Sequence, residues 1–226
     1  SRSYGIYINR ADYLTFDGFE IKDCTSHGIY FNGGSSDINS YERNKYNTVT
    51  NCYIHDCSGY GFYGIYCNYL TFTHNEIAFT GGYGFRMNNT SSYYCDYVLD
   101  FSYNTIHHTA NQGVYFYYTR YIDRFSHNLV YDCYTGTSGT YSVMFEQCQH
   151  TNSSQRTEFY NNTIYGRNNH TLYFSGCPYY NIYNNIIWNT SETDNYYGMY
   201  NSEGTSYVTS DYNYYGSNYE SADGTN

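Results

Sequence analysis

Four side chains in this sequence are of the types that acid–base chemistry on a bound substrate requires: Arg86, Tyr115, Glu146 and His170. A guanidinium neutralises an anionic group, a phenol or imidazole relays a proton, and a carboxylate serves as acid or base. Only one of the four is a carboxylate. The paired carboxyls of a glycoside hydrolase, ~5–5.5 Å apart in retaining and ~6.5–9.5 Å apart in inverting enzymes, are therefore not indicated. Lys22 and Lys45, the only lysines, stand away from these residues in sequence. Cys52, His55 and Cys57 come nearest to metal-ligand spacing, but strand alternation turns the two sulfurs in different directions. No Cys-x-x-Cys pair occurs, so zinc-ribbon and thioredoxin-like motifs are excluded. His107-His108 reads as a solvated turn, and neither metal nor cofactor is expected. Whether Arg86, Tyr115 and Glu146 meet depends on the elements that carry them.

Those elements announce themselves in the composition. The chain has 226 residues, with 37 Tyr, 27 Asn, 20 Gly, one Pro and a formal net charge of −10. An acidic chain of this kind is a poor tracker of nucleic-acid phosphates. No apolar run approaches the ~18 residues of a bilayer span. A content of 23% aromatic and only 13% charged residues is unlike disordered or helix-rich chains. The composition predicts an all-β chain.

Two half-repeats organise it. One reads aromatic or aliphatic, two residues, Asn, one residue, Ile/Val, and occurs at Phe72…Asn75…Ile77, Phe101…Asn104…Ile106, Phe125…Asn128…Val130, Phe159…Asn162…Ile164 and Ile182…Asn185…Ile187. Phe16…Phe19…Ile21 and Val49…Cys52…Ile54 are variants, and Val208…Asp211 is read as a last, blurred copy. The other reads X-Gly-aliphatic-Tyr, as in His27-Gly-Ile-Tyr30 and Tyr60-Gly-Phe-Tyr63. The step from the first motif to the second is 11 residues in five of seven cases, a register that chance does not hold. The return step is variable, so insertions collect at one corner. The shortest complete repeat, 23 residues, is too short for a propeller blade and fits one coil of a parallel β-solenoid. Stacked ~4.8 Å apart, equivalent residues form columns. An Asn column then bonds upward and downward through its amides.

The Asn corner followed by Gly-Ile-Tyr resembles the right-handed parallel β-helix family of the pectate-lyase type, over essentially the whole chain. The resemblance implies a single domain over 1–226, a right-handed parallel β-helix of about eight coils, with an asparagine ladder of Asn75, Asn104, Asn128, Asn162 and Asn185. No N-terminal capping helix precedes Tyr4 and no polar cap follows Gly216, which is read as a segment of a larger protein or an uncapped filament subunit.

Alternation sends Ile6, Ile29, Phe62, Phe85, Val114, Val143, Leu172 and Met199 inward. It sends Tyr7, Tyr30, Tyr63, Arg86, Tyr115, Met144, Tyr173 and Tyr200 outward as a largely aromatic ribbon. The neighbouring Gly column is expected to face out as a shallow trough. Eight cysteines in a polar chain suit an oxidising, extracellular setting, and their columns predict the disulfides Cys24–Cys57, Cys67–Cys95 and Cys148–Cys177, leaving Cys52 and Cys133. Asn-x-Ser/Thr sequons mark Asn88, Asn89, Asn152, Asn161, Asn169 and Asn189 as candidate glycosylation sites.

Bare end coils expose unpaired strand edges, and a head-to-tail contact that does not close builds a filament. The leading expectation is an extracellular structural subunit that stacks end to end, with Tyr7, Tyr30, Tyr63, Tyr115, Tyr173 and Tyr200 for lateral packing or glycan contact. The alternative implied by the resemblance is a secreted polysaccharide lyase using Arg86, Tyr115, Glu146 and His170, or a carbohydrate-binding or adhesin β-helix. Its partners would be polysaccharide or attached glycans, with no nucleic acid and no membrane insertion.

Overall fold

In the X-Gly-aliphatic-Tyr segments the aliphatic or aromatic residue is driven inward and its neighbour outward. Ile29, Phe62, Phe85, Val114, Val143 and Leu172 are completely buried, while in the Tyr column Tyr7 is exposed, Tyr30, Tyr63, Tyr173 and Tyr200 are half-buried, and only Tyr115 is buried. The computed structural model describes residues 2–34, 44–89, 97–134, 141–148, 156–166, 169–190, 197–202 and 208–216. Among these, every regular element is a strand. They form three parallel sheets of eight strands, with a further short pair joining Asn44–Lys45 to Cys67–Asn68. Sheet A runs from Arg2–Asn9 to Tyr197–Asn201, sheet B from Thr15–Asp17 to Val208–Asp211, and sheet C from Glu20–Lys22 to Tyr214–Gly216. Each strand pairs with its equivalents on the neighbouring coils, in coil order. The fold is a right-handed parallel β-helix, and the insertions at the corner between sheets A and B fall largely outside the described residues.

The core is a stack of rings at coil spacing. Phe101, Phe125 and Phe159 lie with centroids 4.9 and 4.8 Å apart and planes within 7°. Phe116 and Phe145 from sheet A meet them edge-on. Offset and edge-to-face arrangements of this kind add ~0.5–1.5 kcal/mol per pair beyond area burial.

The corner between sheets B and C carries the amide ladder. From Asn104 to Asn185 each Oδ1 accepts from the backbone N–H and Nδ2 of the Asn one coil earlier, at 2.9–3.2 Å, and Asn75 Oδ1 accepts from the Cys52 N–H. Each Nδ2 also donates to a core-strand carbonyl: Asn75 to Val49, Asn104 to Phe72, Asn128 to Phe101, Asn162 to Phe125, and Asn185 to Phe159. A sixth rung, Asn213, accepts from Asn185. This corrects the register of the last copy. Ser210 pairs with Ile182 in the core column, so the motif begins at Ser210 rather than Val208, and a serine in the aromatic slot conceals it. The left-handed backbone also sits one residue before the ladder, at His74, Tyr103, His127, Asn161 and Asn184, with φ between 54° and 57°. Rings in this region of φ/ψ are strained, and the buried amide bonds that follow offset the cost.

The glycine column does not face outward. A Cβ on Gly28, Gly61 or Gly84 would stand 2.3–2.5 Å from Cγ2 of Ile54, Ile77 or Ile106 in sheet C and 2.6–2.7 Å from a carbonyl oxygen. The smallest residue is required where sheet C turns into sheet A, and among the described residues this column does not form a trough beside the aromatic ribbon.

The seven described cysteines are free and buried. The predicted disulfides Cys24–Cys57 and Cys148–Cys177 are not formed, although both pairs are neighbours on adjacent coils; the Cys148 N–H donates to Cys177 Sγ at 3.2 Å. Every described thiol instead follows a left-handed residue and lies within 3.1–3.7 Å of the carbonyl two residues back, as with Cys177 and Ser175. Burial pushes the Cys57 thiol up to about 12, with Cys24 adding to it. Cys95, the partner expected for Cys67, lies outside the described residues, as does the sequon at Asn152. Two other sequons are enclosed. Asn89 and Asn189 are buried, and their Nδ2 atoms donate to the carbonyls of Tyr118 and of Asn169 and Tyr197. A glycan on either would require its corner to open. Asn161 is exposed, whereas Asn88 and Asn169 are half-buried.

Candidate functional site

The parallel register of sheet A sets Tyr7, Tyr30, Tyr63, Arg86, Tyr115, Met144, Tyr173 and Tyr200 in one outward column. A second outward column, two residues further along the strand, contains Asn88, Tyr117, Glu146 and Ser175. The residue before each Gly forms a third, including Tyr60 and Tyr83. These columns converge on Arg86.

Arg86 interrupts the tyrosines, and they close around it. Its guanidinium carbon lies 4.7 Å from the Tyr83 ring centroid, 5.2 Å from Tyr115, 5.7 Å from Tyr60 and 6.0 Å from Tyr63. Attraction between the cation and the ring faces holds this box. Arg86 also donates to the Tyr60 hydroxyl at 3.3 Å and to Asn88 Oδ1 at 3.1 Å. One coil on, the Tyr115 hydroxyl donates a short bond to Glu146 Oε2. Burial and then the Glu146 carboxylate drive the Tyr115 phenol well above its ordinary range, with Arg86 opposing. Tyr115 is thus a held proton donor, Glu146 the acceptor, and Arg86 a fixed positive charge beside them. An anionic group on this face would meet a guanidinium, a phenol proton and a carboxylate within neighbouring coils. That set can neutralise an acid and move a proton.

Of the four residues picked from the sequence, the structure gathers Arg86, Tyr115 and Glu146 and sets His170 apart. Glu146 is in register with Ser175, whereas His170 opens that same strand, in register with Tyr141 and Tyr197. His170 Nδ1 accepts the Tyr197 N–H at 3.1 Å, and its ring stacks on Tyr200 at 4.7 Å. Burial lowers its pKa to about 4. His27 does the same for the Tyr60 N–H, with its pKa also lowered by burial. Both are neutral imidazoles that fasten one coil to the next.

Tyr60 and Tyr83 were not singled out from the sequence, and Asn88, marked there as a sequon, instead holds the Arg86 guanidinium. The signal for the first two was the X position of the X-Gly motif, which alternation alone does not aim at the Tyr column.

The tyrosine ribbon has two halves. Tyr7, Tyr30 and Tyr63 stand 5.3 and 5.2 Å apart, and Tyr141, Tyr173 and Tyr200 stand 4.2 and 5.6 Å apart. In the second half the planes lie within 9°, so interior rings spend their faces on each other and offer edges and hydroxyls to a ligand. Cys52, His55 and Cys57 do not form a metal cluster. The sulfurs lie inside two different corners, and His55 faces outward between Glu20 and Asp56.

Among solved structures, the chain is similar to the A-module of the mannuronan C-5 epimerase AlgE6 of Azotobacter vinelandii, with a TM-score of 0.60 and 12% identity. The match covers 89% of this chain and 54% of that one, so the chain spans about half its length. At this identity the likeness is one of fold. No curated protein sequence matches the chain. Residues 1–150 match the family model described as "Right handed beta helix region", and with three coil-ordered parallel sheets on the page, the chain belongs to that right-handed β-helix family.

Proposed function

We propose that the chain contacts carbohydrate through the outer face of sheet A, and that the Arg86–Tyr115–Glu146 cluster receives an acidic sugar and exchanges a proton with it. The observation that carries this reading is the Tyr115–Glu146 hydrogen bond one coil from a guanidinium enclosed by four tyrosines. The fold likeness to a polysaccharide epimerase supports the carbohydrate class. Arg86 pairs with the sugar acid, Glu146 accepts a proton, and Tyr115 supplies one. The setting is extracellular, where such polymers occur.

The test is incubation of the purified chain with a panel of acidic polysaccharides. Binding is followed by calorimetry, chain cleavage by unsaturated-sugar absorbance, and isomerisation by proton NMR. Arg86→Ala is expected to weaken binding at least tenfold. Tyr115→Phe is expected to retain binding and lose any turnover by ~10²-fold or more, the scale of one general acid–base group. Absence of binding to every polymer in the panel would end the proposal.

A second reading, end-to-end stacking of copies, is favoured by Ile6, Ile8 and Phe16. These core-column side chains of the first coil are only partly buried, and a further coil, from this chain or a second copy, would cover them. Sedimentation at increasing concentration is expected to show growing assemblies, and a constant monomer would overturn this reading.

A further inference from the structure

Sheet C repeats one polar frame twice, and the two copies differ in the group that faces the histidine Nδ1 and in Lys22, which binds the first copy's Glu20. His55 and His107 share an outward column, two coils apart with Ala78 between them. Each Nε2 faces a glutamate from the preceding coil at 3.3 Å, Glu20 in the first copy and Glu76 in the second. Each histidine is followed by a left-handed residue with φ 50°, Asp56 or His108, which turns its side chain back toward Nδ1. In the first copy Nδ1 meets the Asp56 carboxylate at 2.6 Å. Both ring nitrogens then face carboxylates, one of them on the adjacent residue. In the second copy Nδ1 of His107 meets Nδ1 of His108 at 2.7 Å, and only one proton fits between two nitrogens.

The surroundings of the second copy favour a cation. Donation from His107 Nε2–H to Glu76 puts a lone pair on Nδ1, which accepts from His108 Nδ1–H. When that proton moves to His108 Nε2 both Nδ1 lone pairs can ligate, and the carboxylate behind the His107 ring fixes its orientation. Tyr131 stacks on His107 at 4.8 Å and Phe79 lies 5.0 Å from His108, walling the pair. The register of His107 with Tyr131 puts Asp132 at the corner position one coil beyond His108, adding negative charge. His108 itself is exposed, so water reaches the pair.

We propose that His107 and His108 form a two-imidazole site for a zinc-type divalent cation, with water in its remaining positions. Zinc–nitrogen bonds of ~2.0–2.1 Å in tetrahedral geometry place the two nitrogens about 3.3 Å apart, a small opening that the exposed His108 side chain can supply. Imidazole ligands suit zinc, copper and nickel over calcium or magnesium. The sequence alone reads this dipeptide as a solvated turn; the Glu76 contact arises only from coil stacking, and the facing nitrogens from the left-handed backbone at His108.

The experiment is titration of metal-stripped protein with zinc chloride by calorimetry, together with long-range ¹H–¹⁵N NMR of the imidazoles. One saturable equivalent and shifted Nδ1 resonances of both histidines are expected. His108→Asn, which tolerates the left-handed backbone, should abolish the site, and Glu76→Gln should weaken it ~10–100-fold. His55→Gln should leave it intact. Circular dichroism of each variant verifies folding. No saturable binding by wild type, or unchanged binding by folded His108→Asn, would overturn the proposal.

Discussion

Each rung of the amide ladder closes a local account of buried donors and acceptors. Removing Asn128 strips the acceptor from the Asn104 N–H and Nδ2, and strips a donor from the Phe101 carbonyl and Asn162 Oδ1. An orphaned buried polar group costs ~1–3 kcal/mol, so Asn128→Ala is expected to lower unfolding stability by about 2–5 kcal/mol in urea titrations. Asn213, the half-buried last rung, should cost clearly less when changed to Ala. Equal losses at the two positions would show that burial does not set the energetics of the ladder. The same residue scale separates His170 from Tyr115. Both are perturbed chiefly by burial, yet only the phenol points its proton at a second titratable group.

Among the elements, the turn from sheet C into sheet A is the tightest point with direct consequences for the site. Because Gly84 lets Ile106 and the Gly113 carbonyl close in, the strand Phe85–Asn88 starts flush with the corner and carries Arg86 into its box. Overpacking of this kind costs ~1–3 kcal/mol. Gly84→Ala should therefore shift the urea midpoint downward and weaken polysaccharide binding with it. A second change, Ile106→Ala, should relieve the side-chain contact without restoring stability, since emptying a fully buried isoleucine site costs ~2–5 kcal/mol and the carbonyl at 2.6 Å does not shrink. Full recovery would assign the whole clash to the side chain. Strand register matters equally. One residue of slip would turn Arg86 and Tyr115 into the core, and the in-register Phe and Asn columns forbid it.

Across the whole molecule, neutral buried imidazoles couple folding to pH. His170 titrates at about 4 against an ordinary 6.5, and His27 is displaced in the same direction. Between these values the unfolded chain binds more protons than the folded one, so stability is full above about 6.5 and is lost as pH falls toward 4. The urea midpoint should decline over that window. His170→Asn keeps an acceptor for the Tyr197 N–H and should flatten the slope relative to wild type. An unchanged slope would mean that carboxylates alone produce the acid response.

By itself, the sequence determined the coil. A period with a fixed step of 11 residues, an amide column and strict alternation can be satisfied together only by stacking, so the inward Phe and Ile columns and the outward Tyr column follow from one-dimensional order. Tertiary structure decided what spacing does not encode. It turned the glycine column inward, because corner curvature rather than alternation governs the residue at the bend between two sheets. It left the described thiols near the carbonyls two residues back instead of in disulfides, and it found Asn213 where a serine hides the motif. It also gathered Arg86, Tyr115 and Glu146 while excluding His170. Proximity across coils depends on position along the strand as well as on column, and that second coordinate exists only once the chain is wound.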